Sequence, residues 1–359
     1  MSIVYVLIAI VLLGILVAVH EFGHFIAARL TGIEVMEFSI GMGPRLCGWK
    51  SRRHGTAFNL RAIPMGGYCA FYGEDDAEGK HVDDPRAYNR QPVWKRMISV
   101  LAGPGMNFVL AFVVAALYFW IGGVGEVTGV TPYISQVMAA GPAYEAGLRD
   151  GDVIEQINGV NMLDGTMETL LETIGAYRPG DAAMTVTVRR GESTFVTTLT
   201  PAYDEAEGKA RIDVYIGGVN EIAMRPATLP EAVAQSWNTC VYASGVILDA
   251  LKSMVTTGEG LDQASGPVGV VSQVSEQVRA YGFEAFVNML VVISINLGIM
   301  NLLPIPGLDG SRFLFMLLEA VRRKPVPPQK EAMVHLGGMV FLVAVMIFFT
   351  FRDVMNLFR

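Results

Sequence analysis

With 359 residues, 52% of them hydrophobic and only 17% charged, the chain has room for two or three folded units and is too apolar for an ordinary soluble enzyme. Its net charge of −7 argues against nucleic acid as a partner. Cys47, Cys69 and Cys240 are odd in number, widely separated and in no C-x-x-C pair, so no disulfide framework is expected.

The chain opens on Ile3–Val19, which carries no charge and runs into VAVHEFGHFIAAR (Val17–Arg29). The run lacks a basic leader and a small-residue cleavage site. Cleavage would also part it from the histidines it positions, so a retained span over Ile3–Ala28 is expected. His20, Glu21 and His24 spell H-E-x-x-H. On a helix, positions i and i+4 share a face, so the two imidazoles can hold one Zn²⁺ while Glu21 serves as base toward the attacking water. The same letters occur by chance on helix surfaces. Here that surface would be lipid, where ionisable groups are costly and default to a functional reading. A catalytic zinc usually takes three protein ligands, and this stretch supplies two.

Three further spans are expected at about Met97–Gly122, Phe283–Leu303 and Leu336–Phe351. The connection after the first span holds Arg45, Lys50, Arg52, Arg53 and Arg61, and the link after the third holds Arg322, Arg323, Lys324 and Lys330. The long section between the second and third spans is rich in Asp and Glu instead. The positive-inside rule then puts both basic connections in the cytoplasm, and both chain termini and the middle section outside.

Within the first connection, Phe38–Leu46 and Phe58–Phe71 have strand-like, Gly/Pro-rich character. They fit a β-loop that dips back toward the histidines and offers an edge to an extended peptide. They fit a soluble cytoplasmic hairpin equally well. Gly73–Arg90 is polar and acidic, and a surface loop is expected there.

The middle section begins with a small β-rich domain, roughly Val130–Asp204. Strands are expected at Ile134–Val137, Val153–Ile157, Met184–Arg189 and Thr194–Leu199, with a helix over Met167–Tyr177. Leu229–Val255 reads as an amphipathic helix. Gln235, Trp237, Asn238, Asp249 and Lys252 favour an interfacial position for it, with an additional span as the alternative.

The third span ends in NLLPIPGLDG (Asn301–Gly310), where Pro304 and Pro306 interrupt the helix. Asp309 reads either as an interfacial acid near a helix end or as an oxygen ligand to zinc. The charge pattern puts it at the depth of the incomplete His pair, which favours the ligand. Asn301, on the same helix, can donate to an oxyanion or bond the backbone that the prolines free. His54, His81 and His335 show no partner spacing and read as ordinary loop or helix-end residues.

These residues resemble the site-2 proteases. HEFGH lies in the first span, IPMGGY (Ile63–Tyr68) in the β segment, GPGMNF (Gly103–Phe108) in the second span and NLLPIPGLDG in the third, in family order over nearly the whole chain. AAGPAYEAGLRDGDVIEQINGV (Ala139–Val160) resembles a PDZ domain, which makes the bacterial regulator-of-sigma-factor type the nearest likeness. Ser311-Arg312 departs from the further glycine that the family often has after LDG, which bears on local packing. The resemblance implies a mainly α membrane protein: four transmembrane helices, a membrane-re-entrant β segment and an inserted extracytoplasmic β-rich PDZ domain. It implies a catalytic half at 1–125, the PDZ domain at 126–205, a linker with an amphipathic helix at 206–282 and a second catalytic half at 283–359. It implies His20, His24 and Asp309 as zinc ligands, Glu21 as general base and Asn301 as an assisting residue. The implied protein is a monomeric, multi-pass zinc metalloprotease of the bacterial inner membrane. Its implied substrates are pre-trimmed single-span membrane proteins, such as anti-sigma factors or remnant signal peptides. Two other classes stay open on the residues alone: a scaffold without zinc, and a transporter that moves metal without proteolysis.

Overall fold

The computed structural model describes residues 3–74, 84–163, 167–205, 208–261 and 264–357. Most of the expected acidic loop, with His81, lies outside the described residues. The chain forms two compact units, one of Gly122–Ala227 and one that joins Met1–Ile121 to Thr228–Arg359.

The discontinuous unit opens with α1 (Ile3–Thr31), β1 (Val35–Lys50), β2 (Ala57–Phe71) and α2 (Val93–Gly122). β1 and β2 are long enough to fold back on themselves. Residues 37–40 pair on one side with 57–60 and on the other with 67–70, and 47–50 extend the sheet beyond 57–60. The result is a four-segment antiparallel sheet in which 67–70 pair on one side only among the described residues. Its inner end closes over Ala28, Ile33, Val35, Phe71 and Tyr88.

The other unit comprises β3 (Val124–Val137), α3 (Pro142–Glu145), β4 (Val153–Ile157), β5 (Val160–Asn161), α4 (Met167–Gly175), β6 (Met184–Arg190), β7 (Ser193–Leu199), β8 (Ala202–Asp204), β9 (Lys209–Arg211) and β10 (Val214–Arg225). Its main sheet has the order β10-β3-β4-β6-β7, and β5 hangs on β4. Alternating residues of β6 point inward, and a register shift between Ile154 and Gln156 turns both Ile154 and Ile157 of β4 the same way, so Ile154, Ile157, Val186 and Val188 meet Ile134 and Leu170 in one buried cluster. β10 carries the sheet to Arg225, past position 205 where the sequence suggested the domain's end, because it pairs with β3 from Val137 back to Val124.

The chain then returns to the first unit through α5 (Leu229–Thr256), α6 (Pro267–Leu302), α7 (Asp309–Arg322) and α8 (Pro328–Leu357). Among the described residues, four helices are long and apolar enough to cross a membrane: Ile3–Thr31, Val93–Gly122, Pro267–Leu302 and Gln329–Met355. α5 is not one of them, and Thr228 with Glu231 forms a capping box at its start. α6 begins well before the expected Phe283. Gly282 breaks it at φ 65°, so the expected third span is its second half. α7 was not expected. It is a separate amphipathic helix, and the part-buried Arg96–Glu319 ion pair at 2.6 Å ties it to α2.

Lipid is as apolar as leucine, so helices packed within it are held by close fit and hydrogen bonds rather than by escape from water. The interfaces show that pattern. Ala9, Leu12 and Leu16 of α1 lie against Val274, Val278 and Leu290 of α6. Ala111 and Ala115 of α2 lie against Val291, Ile295 and Ile299. The Ser294 hydroxyl donates to the Asn107 carbonyl at 2.8 Å and the Ser236 hydroxyl to that of Phe112 at 2.8 Å.

Candidate metal centre

The helical spacing of four brings His20 and His24 to the same buried face of α1, with their Nε2 atoms 3.2 Å apart and the rings edge to face. Asp309, the first residue of α7, meets them from the other half of the unit. Its Oδ2 lies 3.1 Å from His20 Nε2 and 3.4 Å from His24 Nε2. One ligand atom from each of the three residues falls within 4.8 Å of the other two, a grouping that could hold a metal ion. The fold thus brings together the three side chains singled out in the sequence.

The surroundings fit a cation. His24 Nδ1 donates to the Ser99 carbonyl at 2.8 Å, which leaves its Nε2 with a bare lone pair. Asp309 Oδ2 is buried without a hydrogen-bond partner. An unpaired buried carboxylate oxygen facing imidazole lone pairs is costly unless a positive charge joins them. Two nitrogens and one oxygen suit zinc, the borderline-soft ion that takes imidazole and carboxylate ligands.

A cavity of about 410 Å³ opens onto the three side chains, and Glu21, Asn301 and residues 67–71 of β2 line it. Glu21 sits beside Gly67: a Cβ on that glycine would lie 2.9 Å from Glu21 Cγ. One N–H of the Asn301 amide goes to the Leu297 carbonyl at 3.0 Å, in its own helix. Cys69 also lines the cavity but is not part of the metal grouping.

Several contributors were not singled out from the sequence. Asn107 of α2, inside GPGMNF, reaches His20 Nδ1 at 3.1 Å, and its own Oδ1 is buried without a partner. A lone amide in an apolar run was the available signal. Arg312 pairs with Glu74 across the cavity wall. The Ser311 hydroxyl donates to the Leu308 carbonyl at 2.8 Å, so the departure at Ser311-Arg312 is absorbed locally. His54 lies in an exposed turn, as expected. His335 does not behave as an ordinary helix-end residue, because Gly307 N–H donates to its Nδ1.

A unit of long apolar helices that brings two buried histidines and a half-buried aspartate together in a grouping able to hold a metal ion fits the class of metal-dependent membrane proteins. The model of peptidase family M50 matches residues 8–345, and the chain belongs to that family of zinc-dependent peptidases. A Clostridium acetobutylicum protein provisionally named a zinc metalloprotease is 34% identical over 354 residues, covering 99% of this chain and 98% of its own length. The regulator of sigma-W protease RasP of Bacillus subtilis is 31% identical over 427 residues, covering 97% of this chain and 98% of its own. The zinc metalloprotease RasP of Bacillus licheniformis is 30% identical over 430 residues, with 97% and 98% covered. A solved PDZ domain of an SdrC-like protein from Listeria monocytogenes aligns with 25% of this chain and 90% of its own at 20% identity and a TM-score of 0.22, too slight to carry an argument.

Proposed function

We propose that this zinc metallopeptidase is an intramembrane protease. In this reading it hydrolyses peptide bonds within or near the transmembrane segments of single-span membrane proteins that another protease has already trimmed. The carrying observation is the convergence of His20, His24 and Asp309 in a cavity lined by Glu21, on helices apolar enough to span a bilayer.

His20, His24 and Asp309 hold the zinc, which when bound polarises a carbonyl and brings its water's pKa toward neutrality. Ser99 holds His24 in the tautomer that leaves Nε2 bare. Asn107 does the same for His20: a half-turn of its amide exchanges two atoms of equal size and lets Oδ1 accept from Nδ1–H. Glu21 takes the proton of the attacking water and delivers it to the leaving amine. Asn301 has a second amide N–H beyond the one held by Leu297, and it donates to the developing oxyanion.

A helical substrate shields its own peptide bonds, so it must be drawn out to extended form. The half-paired segment 67–70 offers backbone groups to an added strand beside Glu21 and the metal ligands, which supports a re-entrant sheet that presents substrate to the site. By the charge pattern, both termini and the β-rich unit lie outside the cytoplasmic membrane. That unit is read as a PDZ domain that senses the new end of a trimmed substrate or excludes untrimmed ones by size. The Bacillus subtilis relative is named a regulator of sigma-W protease, which supports anti-sigma factors as the substrate class in this reading, and remnant signal peptides are proposed alongside.

The test is cleavage of a tagged single-span substrate by the detergent-solubilised full chain. Cleavage that stops on chelation, returns with zinc and maps to the membrane segment supports the proposal. Zinc-dependent cleavage confined to soluble loops overturns it.

A further inference from the structure

His335 stands on α8, which is long and apolar enough to span a membrane, and its imidazole turns toward the loop that ends at Asp309. An ionisable side chain on such a helix is expensive to keep and calls for a role. Its Nδ1 accepts a hydrogen bond from the backbone N–H of Gly307 at 3.3 Å. An N–H can only donate, so Nδ1 is bare and the neutral ring carries its proton on Nε2, which lies 3.7 Å from the Glu331 carboxylate one turn earlier. The Ser311 hydroxyl is 3.5 Å from the same Nδ1, but its proton goes to the Leu308 carbonyl. Phe315 of α7 packs beside the ring, with centroids 5.5 Å apart.

The loop depends on this contact. Pro304 and Pro306 have no N–H. Leu303, Ile305 and Leu308 turn their N–H groups to carbonyls of the same short stretch, at Met300, Leu303 and Ile305. Gly307, in the left-handed region at φ 101°, instead gives its N–H to a side chain on another helix. The next turns of α8 press on the same loop: a side chain at Gly338 would overlap the Pro306 carbonyl, and one at Gly307 would meet Leu342 and Met339.

We propose that His335 is a positioning residue for the metal centre. Through Nδ1 it anchors Gly307, two residues before Asp309, and so fixes the backbone from which that carboxylate reaches His20 and His24. This inference rests on the assignment of Asp309 as a zinc ligand. Neither the imidazole nor Glu331 enters the chemistry.

The test measures zinc retention by the purified full chain against a graded competing chelator. His335→Phe keeps a ring beside Phe315 and removes the acceptor, and it should weaken zinc binding about tenfold to a hundredfold, the usual effect of losing an outer support. In His335→Asn the side-chain oxygen takes the place of Nδ1, and zinc retention should return to near the wild-type level. In His335→Gln the amide sits where Nε2 was and should not rescue. Wild-type retention in His335→Phe overturns the proposal, as does a His335→Asn variant no better than His335→Phe. If His335→Phe fails to fold, the Asn and Gln variants decide the question between themselves. Asp309→Ala separates the two layers. Zinc kept in that variant overturns the ligand assignment and this proposal with it. Zinc lost there but kept in His335→Phe overturns this proposal alone.

Discussion

The Ser99 carbonyl oxygen sits 2.8 Å from His24 Nδ1, and this contact between adjacent helices decides which nitrogen of His24 faces the metal centre. A carbonyl can only accept, so the proton is held on Nδ1 and Nε2 points inward as a lone pair. The contact exists because α1 and α2 approach closely.

That approach leaves no room at Gly103, where a Cβ would overlap the His24 ring. Gly103→Ala should push the imidazole off the Ser99 carbonyl and weaken zinc binding about tenfold to a hundredfold. Gly105→Ala, on the same helix but with nothing within 4 Å of its added methyl, should leave zinc binding unchanged. Competition with a chromophoric chelator on the purified chain measures both. Equal loss in the two variants would point to general helix damage instead.

Gly67 tests the link between the sheet and Glu21. A Cβ there would lie 2.8 Å from the Ser39 carbonyl and 2.9 Å from Glu21 Cγ. Gly67→Ala should shift the base or the sheet segment beside it, and misplacement by about 1 Å can cost on the order of a hundredfold in rate. Zinc content should stay at the wild-type level, because none of the three ligand side chains is displaced. Cleavage rate and zinc content on one preparation decide it, and unchanged cleavage would detach the sheet from the chemistry.

The two histidines were legible in the sequence because i, i+4 spacing needs only a helix. Asp309 was legible through the basic residues that set its depth. The Ser99 carbonyl was not, since a backbone acceptor leaves no trace in residue identity. α7 was hidden for another reason: its helical period runs through FLFMLLEAV (Phe313–Val321), but the two prolines before it and the basic cluster after it made the segment read as a link. In the β-rich unit β4, β6 and β7 lie close to the expected strands, but of β3 only residues 134–137 were expected and β5 was not. β10 escaped because its partner, β3, lies far back in the chain, and nonlocal pairing has no period to read. The second pairing of residues 37–40 was missed for the same reason.

In the β-rich unit, Asp152 is fully buried and takes two hydrogen bonds from Arg190 at 2.7 Å and one from the Arg149 N–H at 2.8 Å. Burial alone would raise this carboxyl, but those bonds outweigh it and hold Asp152 below the usual carboxylate range. The unfolded chain therefore binds this proton more tightly than the folded one. The stabilisation is fully present above the unfolded value of about 3.9 and is lost as pH falls below it toward the lower folded value. Asp152→Asn should lower the protection of β6 amides near neutral pH by about 1–3 kcal/mol, and the gap from wild type should close as the solution is acidified. Hydrogen exchange on the full chain, corrected for intrinsic rates, measures this. A gap that widens in acid would reverse the sign.

The central claim is that zinc held by His20, His24 and Asp309 works with Glu21 as the base. Its most direct test sets wild type beside Glu21→Gln, with cleavage of a tagged single-span substrate and zinc content measured on the same preparations. The substitution is nearly isosteric and removes the proton acceptor without touching a ligand. Cleavage by wild type only, with equal zinc in both proteins, is the predicted result. Cleavage by Glu21→Gln at the wild-type rate would contradict it.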